Sequence, residues 1–255
     1  MGRFAETDAD KTHAKGVDAM KAWLAFGLAA LTVTSAAAQT GTITGRVVFK
    51  GTPPKPKEVS ASAMKAADAK CAALHKGKSL QIAEVQVGPN GGLKWVLVYI
   101  KGSVKGNFKP PTKPVIVDQT GCLFVPHAVA VQVGQPVEFR NSDPLLHNIR
   151  ANSKQGQSFN IAQPVKGMKQ VRKFSKPEIG IQLRCDVHWW MAGYLHVLPH
   201  PFFAITGDDG TFTIKGVPAG TYRLEAWHEK LGTQTKTVTV KPGETVTVDF
   251  TFSAR

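Results

Sequence analysis

The sequence predicts an all-β protein. Three observations carry that prediction. Short runs rich in β-branched and aromatic residues recur along most of the chain, Gly/Pro/Asp turn signals separate them, and a single helical stretch interrupts the pattern. Short strands at such spacing build one or two sandwiches or barrels. The composition agrees: 255 residues, 42% hydrophobic and 20% charged, is globular and long enough for one large or two small domains.

The first strands read from the sequence are GTITGRVVFK (41–50) and LKWVLVYI (93–100), the second continuous enough to be buried on both faces. PVIV (114–117), VAVQV (129–133) and PVEFR (136–140) follow, the last two joined by Gly134-Gln135. Later strands are IQLRC (181–185), YLHVL (194–198), FFAIT (202–206), TFTIK (211–215), TYRLEAW (221–227), TKTVTV (235–240) and ETVTVDFTF (244–252). Asp208-Asp209-Gly210, Pro218-Ala219-Gly220 and Lys241-Pro242-Gly243 are turns between them. Residues 59–75 are Ala- and Lys-rich without proline, which predicts a short helical segment ending near Gly77. Proline-stiffened connectors lie at 51–58 and 105–114.

Residues 22–34 form an uncharged, mostly apolar run preceded by Lys11, Lys15 and Lys21 and followed by small residues to Ala38. The run is shorter than the ~20 residues a membrane span needs. It reads as a signal peptide over 1–38, with export to the periplasm or beyond the cell and no transmembrane span after cleavage. An uncleaved anchor is the alternative, since the charged stretch before the run is long. The formal charge is +14. Residues 1–38 hold four basic and four acidic residues, so the mature chain keeps that charge. A basic exported protein without a nucleic-acid motif fits an acidic redox partner or an anionic envelope surface better than nucleic acid.

The densest chemical signal is Cys185-Asp186-Val187-His188-Trp189-Trp190-Met191, where a strand runs into a short loop. Upstream, His147 and Asn148 follow the strand PVEFRN and the turn Ser142-Asp143-Pro144. Two imidazoles, one thiolate and one thioether suit copper in electron transfer, because the soft sulfurs favour Cu(I) while imidazole serves both oxidation states. Taken singly, Cys185 reads as a core thiol or disulfide partner, Met191 as a gap-filler and His147 as a surface histidine. Zinc would leave the thioether unused, and no C-x-x-C-H exists for haem.

The loop Cys-x2-His-x2-Met, with an upstream His-Asn after a Gly-x-x-V-x-F-x-N strand, resembles the cupredoxins, and its loop length that of their amicyanin-like members. The resemblance covers about 114–200 and implies a Greek-key β-barrel with His147, Cys185, His188 and Met191 on one mononuclear copper ion. It implies that Asn148 orders the thiolate loop. His188, at the loop tip beside Trp189 and Trp190, is the expected electron port and docking surface, with Leu145, Leu146 and Pro126 around it. Trp189 departs from the proline often found after the second histidine. His196 is the other candidate for the axial position. With Cys185 on copper, Cys71 and Cys122 remain as a disulfide; a Cys122–Cys185 pairing is the competing arrangement and would destroy the site. His75, His127, His200 and His228 read as structural or surface residues.

The tail, with T-x-D-D-G-x-F-x-I and G-V-P-x-G-x-Y-x-L over Thr206–Leu224, is similar to carboxypeptidase regulatory-like, transthyretin-like β-sandwiches. Their opening strand, G-x-I-x-G-x-V, resembles residues 41–47. The expected layout is 39–112 as strands and helical segment of the sandwich, 113–200 as an inserted copper domain, and 201–255 as the remaining sandwich. The expected function is exported one-electron transfer with a cytochrome-like or dehydrogenase partner, without enzymatic activity. Copper storage or delivery, and a non-redox envelope module, are the alternatives.

Overall fold

The computed structural model describes residues 39–254; the signal sequence expected over 1–38 lies outside them. Strands dominate, and they form four main sheets and a small hairpin. The long strand Thr40–Lys50 pairs antiparallel with Thr211–Pro218 and parallel with Thr245–Thr247 and Phe250–Ser253. A second sheet orders Phe203–Ile205, Leu97–Ile100, Gly220–His228 and Gly232–Val240. Ile43, Val47, Phe212, Leu224 and Phe250 are buried in one apolar core. Glycine at 45 is a packing requirement, because a Cβ there would sit 2.0 Å from the Val248 carbonyl oxygen.

Between the first and second halves of that sandwich, residues 115–198 build two sheets of their own. One orders Phe159–Gln163, His147–Asn152, Glu178–Arg184, Ala192–Leu198 and Ala128–Gln132. The other orders Lys169–Lys173, Pro136–Asn141, Val115–Thr120 and Leu123–Val125. Val117, Phe139, Ile149, Leu183 and Leu195 are buried in their shared core. The all-β class read from the sequence is correct, but the barrel is not closed: the two sheets remain separate ladders. A smaller apolar cluster of Leu97, Tyr99 and Leu198, with Trp227 against it, joins this region to the sandwich.

The helical segment expected over 59–75 is two short helices, α1 (Ala61–Ala67) and α2 (Ala69–Leu74). Val59 ends the strand Lys57–Val59, which pairs with Leu80–Ile82. Ser60 caps α1 by accepting from the Ala63 amide. Asp68 breaks the run: its backbone is extended, and its carboxylate accepts from the Lys70 amide. A disulfide joins Cys71 of α2 to Cys122, in the turn before Leu123–Val125. His75 adds a hydrogen bond with the Gly121 carbonyl at 2.9 Å. Met64, Cys71 and Ala72 thereby enter the core beneath the loop that carries Cys185.

Candidate metal centre

The strand Pro136–Asn141 delivers Asn141 to the start of the turn. Its side-chain amide donates to the Leu145 and Gln163 carbonyls, both at 2.8 Å, while its oxygen accepts from the Asp143 amide at 3.0 Å. That shapes the turn so that His147 opens the next strand with a fully buried ring. Asp143 then holds the ring: its Oδ2 accepts from His147 Nε2 at 2.9 Å. The same carboxylate accepts from the Gly121 and Cys122 amides, each at 2.8 Å. A carboxylate only accepts, so Nε2 carries the proton and Nδ1 presents its lone pair.

That lone pair points at a second imidazole. His147 Nδ1 lies 3.0 Å from His188 Nδ1, and Cys185 Sγ lies 3.7 Å from the same His188 nitrogen. His147, Cys185 and His188 are all buried, with their donor atoms within 4.8 Å of one another. An ion with bonds of ~2.0 Å to nitrogen and ~2.3 Å to sulfur separates its donors by about these distances. The donor set therefore fits a single metal. Met191 is fully buried in the same core, and its amide donates to the His188 carbonyl at 2.9 Å while its carbonyl accepts from Cys185. These two bonds close the loop between the thiol and the thioether.

Asn148 braces that loop from the neighbouring strand. Its Oδ1 accepts from the Asp186 amide at 2.7 Å and from Cys185 Sγ at 3.3 Å. Its Nδ2 donates to Asn160 and Asp186. Burial pushes the Cys185 thiol up, but hydrogen bonds with His147 and His188 and contact with Asn148 outweigh it, lowering its pKa from 9.0 to about 6. Burial likewise lowers His147, yet its bonds to Asp143 and Cys185 leave it raised. Burial raises Asp143, and the three donors on its oxygens bring it below the usual range.

The loop tip differs from expectation. His188 does not reach solvent: its exposure is 0%. The disulfide sulfurs of Cys71 and Cys122 lie within 4.8 Å of a His188 nitrogen, and the Trp190 ring centre lies 5.3 Å from its ring centre. The α1–α2 segment, bound through Cys71, closes that side. Trp190 is buried and donates to the Cys122 carbonyl at 3.1 Å, whereas Trp189 is 57% exposed. Leu146 is also exposed, Leu145 is buried and Pro126 is half-buried.

His196 is not at the centre. It lies on the opposite face of its strand from Leu195 and Val197, 4.9 Å from the Trp227 ring. His75, His127, His200 and His228 make hydrogen bonds elsewhere. Sequence reasoning missed Asp143, which reads as a turn residue; its signal is the i, i+4 spacing to His147.

No curated protein matches the chain. Among solved structures, the chain is similar to a Cu-containing nitrite reductase from Thermus scotoductus SA-01, at 26% identity and a TM-score of 0.32. That match covers 38% of this chain and 24% of the reductase, so the chain spans about a quarter of it. A purple cupredoxin from Nitrosopumilus maritimus matches at 22% identity and a TM-score of 0.28, over 32% of this chain and 95% of its own. Amicyanin from Paracoccus versutus matches at 17% identity and a TM-score of 0.31, over 39% of this chain and 96% of its own. Residues 200–253 match the family model of the carboxypeptidase regulatory-like domain, which spans the sandwich strands from Phe203–Ile205 to Phe250–Ser253.

Proposed function

We propose that this protein is an exported, non-enzymatic electron carrier that binds one copper ion through His147, Cys185, His188 and Met191. The observation that carries the reading is the convergence of two imidazole nitrogens and one thiol in a buried pocket, with separations of 3.0 and 3.7 Å. Copper, when bound, supplies a one-electron Cu(II)/Cu(I) couple. The chain's own residues do the rest. Asp143 keeps the His147 tautomer that presents Nδ1, and Asn148 holds the thiolate in place. The closed loop and apolar surroundings exclude water and limit rearrangement between oxidation states. Because His188 is covered, the outlet toward a partner runs along Trp190 to Trp189, whose ring centres are 5.5 Å apart.

The first strand's pairing with the tail supports the reading of 113–200 as a module inserted in a sandwich. The charge of +14 supports an acidic redox partner. Among the described residues no helix is long and apolar enough to cross a membrane. The test is to add Cu(II) to the mature protein and record visible and paramagnetic resonance spectra. An intense thiolate-to-copper band with narrow hyperfine splitting is expected, and Cys185→Ser abolishes it. A colourless wild-type protein that binds no copper overturns the proposal.

A further inference from the structure

A cavity of about 340 Å³ lies beside the metal centre, built by the Lys57–Ile82 hairpin region, the strands around Tyr194 and the end of the sandwich at Glu229. Its volume is at the small end of ligand cavities, about 300–1,000 Å³, which suits a single-ring molecule. Trp189, Trp190 and Tyr194 supply aromatic walls. His127 and Glu229 supply a polar pair: His127 Nε2 donates to Glu229 Oε1 at 2.7 Å, and the Glu229 side chain is 4% exposed. The carboxylate thus fixes Nε2–H and leaves Nδ1 as an acceptor, which no hydrogen bond engages among the described residues.

The charges lining the cavity narrow the ligand class. Lys57 and Lys230 are both bound to Glu84, at 3.0 and 2.7 Å, so they do not make an anion site. Arg184 is left as a donor. A neutral aromatic ring with one hydroxyl to donate to His127 and another to accept from Arg184 satisfies walls and polar groups together. Trp190 lines this cavity and also packs against His188, the two rings tilted by 55° with their centres 5.3 Å apart.

Resting on the copper reading above, we propose that this cavity binds a small benzene-1,4-diol and lets it reduce the centre directly. The hydroxyl O–H bond breaks, its proton passes to His127 Nδ1, and one electron passes by way of Trp190 to copper(II). The products are copper(I), protonated His127 and the aryloxyl radical of the diol. Two such radicals disproportionate to one quinone and one diol, which closes the electron balance. His127 then returns its proton to water.

The experiment begins with metal-free protein and anaerobic calorimetry using hydroquinone. One-site binding is expected, weakened roughly tenfold by His127→Gln and by Trp189→Ala, through the lost hydrogen bond and lost stacking surface. The ligand-side control, 1,4-dimethoxybenzene, cannot donate a hydrogen bond and is expected to bind roughly tenfold more weakly to the unaltered protein. No binding, or equal binding of the two compounds, overturns the site. In copper-loaded protein, hydroquinone bleaches the thiolate band at a rate that saturates with concentration, and His127→Gln slows that rate roughly tenfold, by about 1.4 kcal/mol of barrier. Reduction by ferrocyanide, which carries no proton, stays unchanged in the same variant. Unsaturable kinetics indifferent to His127→Gln overturn the electron step. A protein that takes up no copper sinks the carrier reading and the electron step together, while calorimetry still decides the site.

Discussion

The two β regions solve the problem of an interior in opposite ways. The sandwich built from Thr40–Lys50 and the tail fills its core with side chains such as Ile43, Val47, Phe212 and Phe250. The region between Val115 and Leu198 buries Gln119, Asn141, Asp143, His147, Gln163 and His188 beside its apolar residues. Burying such groups is costly unless they are hydrogen-bonded. Here nearly every one has a partner: Gln119 donates to Gln163, Gln163 to the Phe139 carbonyl, and Asn141 to two carbonyls. The outer nitrogen of His188 and the side-chain oxygen of Gln119 are the exceptions among them. The contrast teaches that the sandwich centre is held by apolar packing, although the sandwich also buries polar groups such as Glu225 and His228, whereas the other region holds a preformed polar cluster that packing by itself does not explain.

The contrast can be broken most severely from the sandwich side. Phe250→Ala empties a fully buried position and is expected to cost about 3–5 kcal/mol in urea unfolding. The copper spectrum of the protein that remains folded should not change. A spectrum that changes with it would show the two regions to be energetically one.

Replacing both Cys71 and Cys122 by serine tests the seam over the cluster. A loss of about 2–4 kcal/mol is expected from the missing cross-link. His188 should also become open to imidazole hydrogen exchange, read by mass spectrometry, because α2 no longer holds the cover closed. If exchange at His188 stays as slow as in the wild type, the cover does not depend on the disulfide.

A subtler change targets the carboxylate beneath His147. Asp143→Asn keeps the volume but can present an amide to Nε2, which disturbs the tautomer. Copper affinity is expected to fall about 10–100-fold in competition titrations. Unaltered affinity would make Asp143 a turn residue only.

The smallest perturbation is pH. The Cys185 pKa is lowered to about 6, so the metal-free protein should show thiolate ultraviolet absorbance rising with a midpoint near pH 6, absent in Cys185→Ser. The sign for stability follows from the depressed folded value. The contribution is complete above the unfolded value of 9.0 and is lost as pH falls through about 6. A midpoint near 9 would show that the histidines do not support the thiolate.

Much of the strand pattern was legible because period-two burial and turn residues are local properties. The Cys185–Met191 loop stood out for a similar reason: its chemistry is contained in a few consecutive residues. The helical stretch was visible, but not its break, since Asp68 acts through a side-chain bond that composition does not register. Asp143 was unreadable as a partner of His147, because its role arises only when the turn brings Oδ2 to Nε2. His188 reads as a tip residue in sequence, yet a segment more than a hundred residues upstream covers it through Cys71.

By itself, then, the sequence determined the all-β class, the positions of most strands, the residue types available for metal chemistry and the positive charge. These follow from local periodicity and from composition. Only the tertiary structure decided that Thr40–Lys50 joins the tail strands, that the two sheets of residues 115–198 stay open, and that His196 faces away from Cys185. It also decided that His127 meets Glu229 across the junction of the two regions. The physical reason is the same in each case: these contacts join residues far apart in the chain, and only collapse onto shared cores brings them within bonding distance.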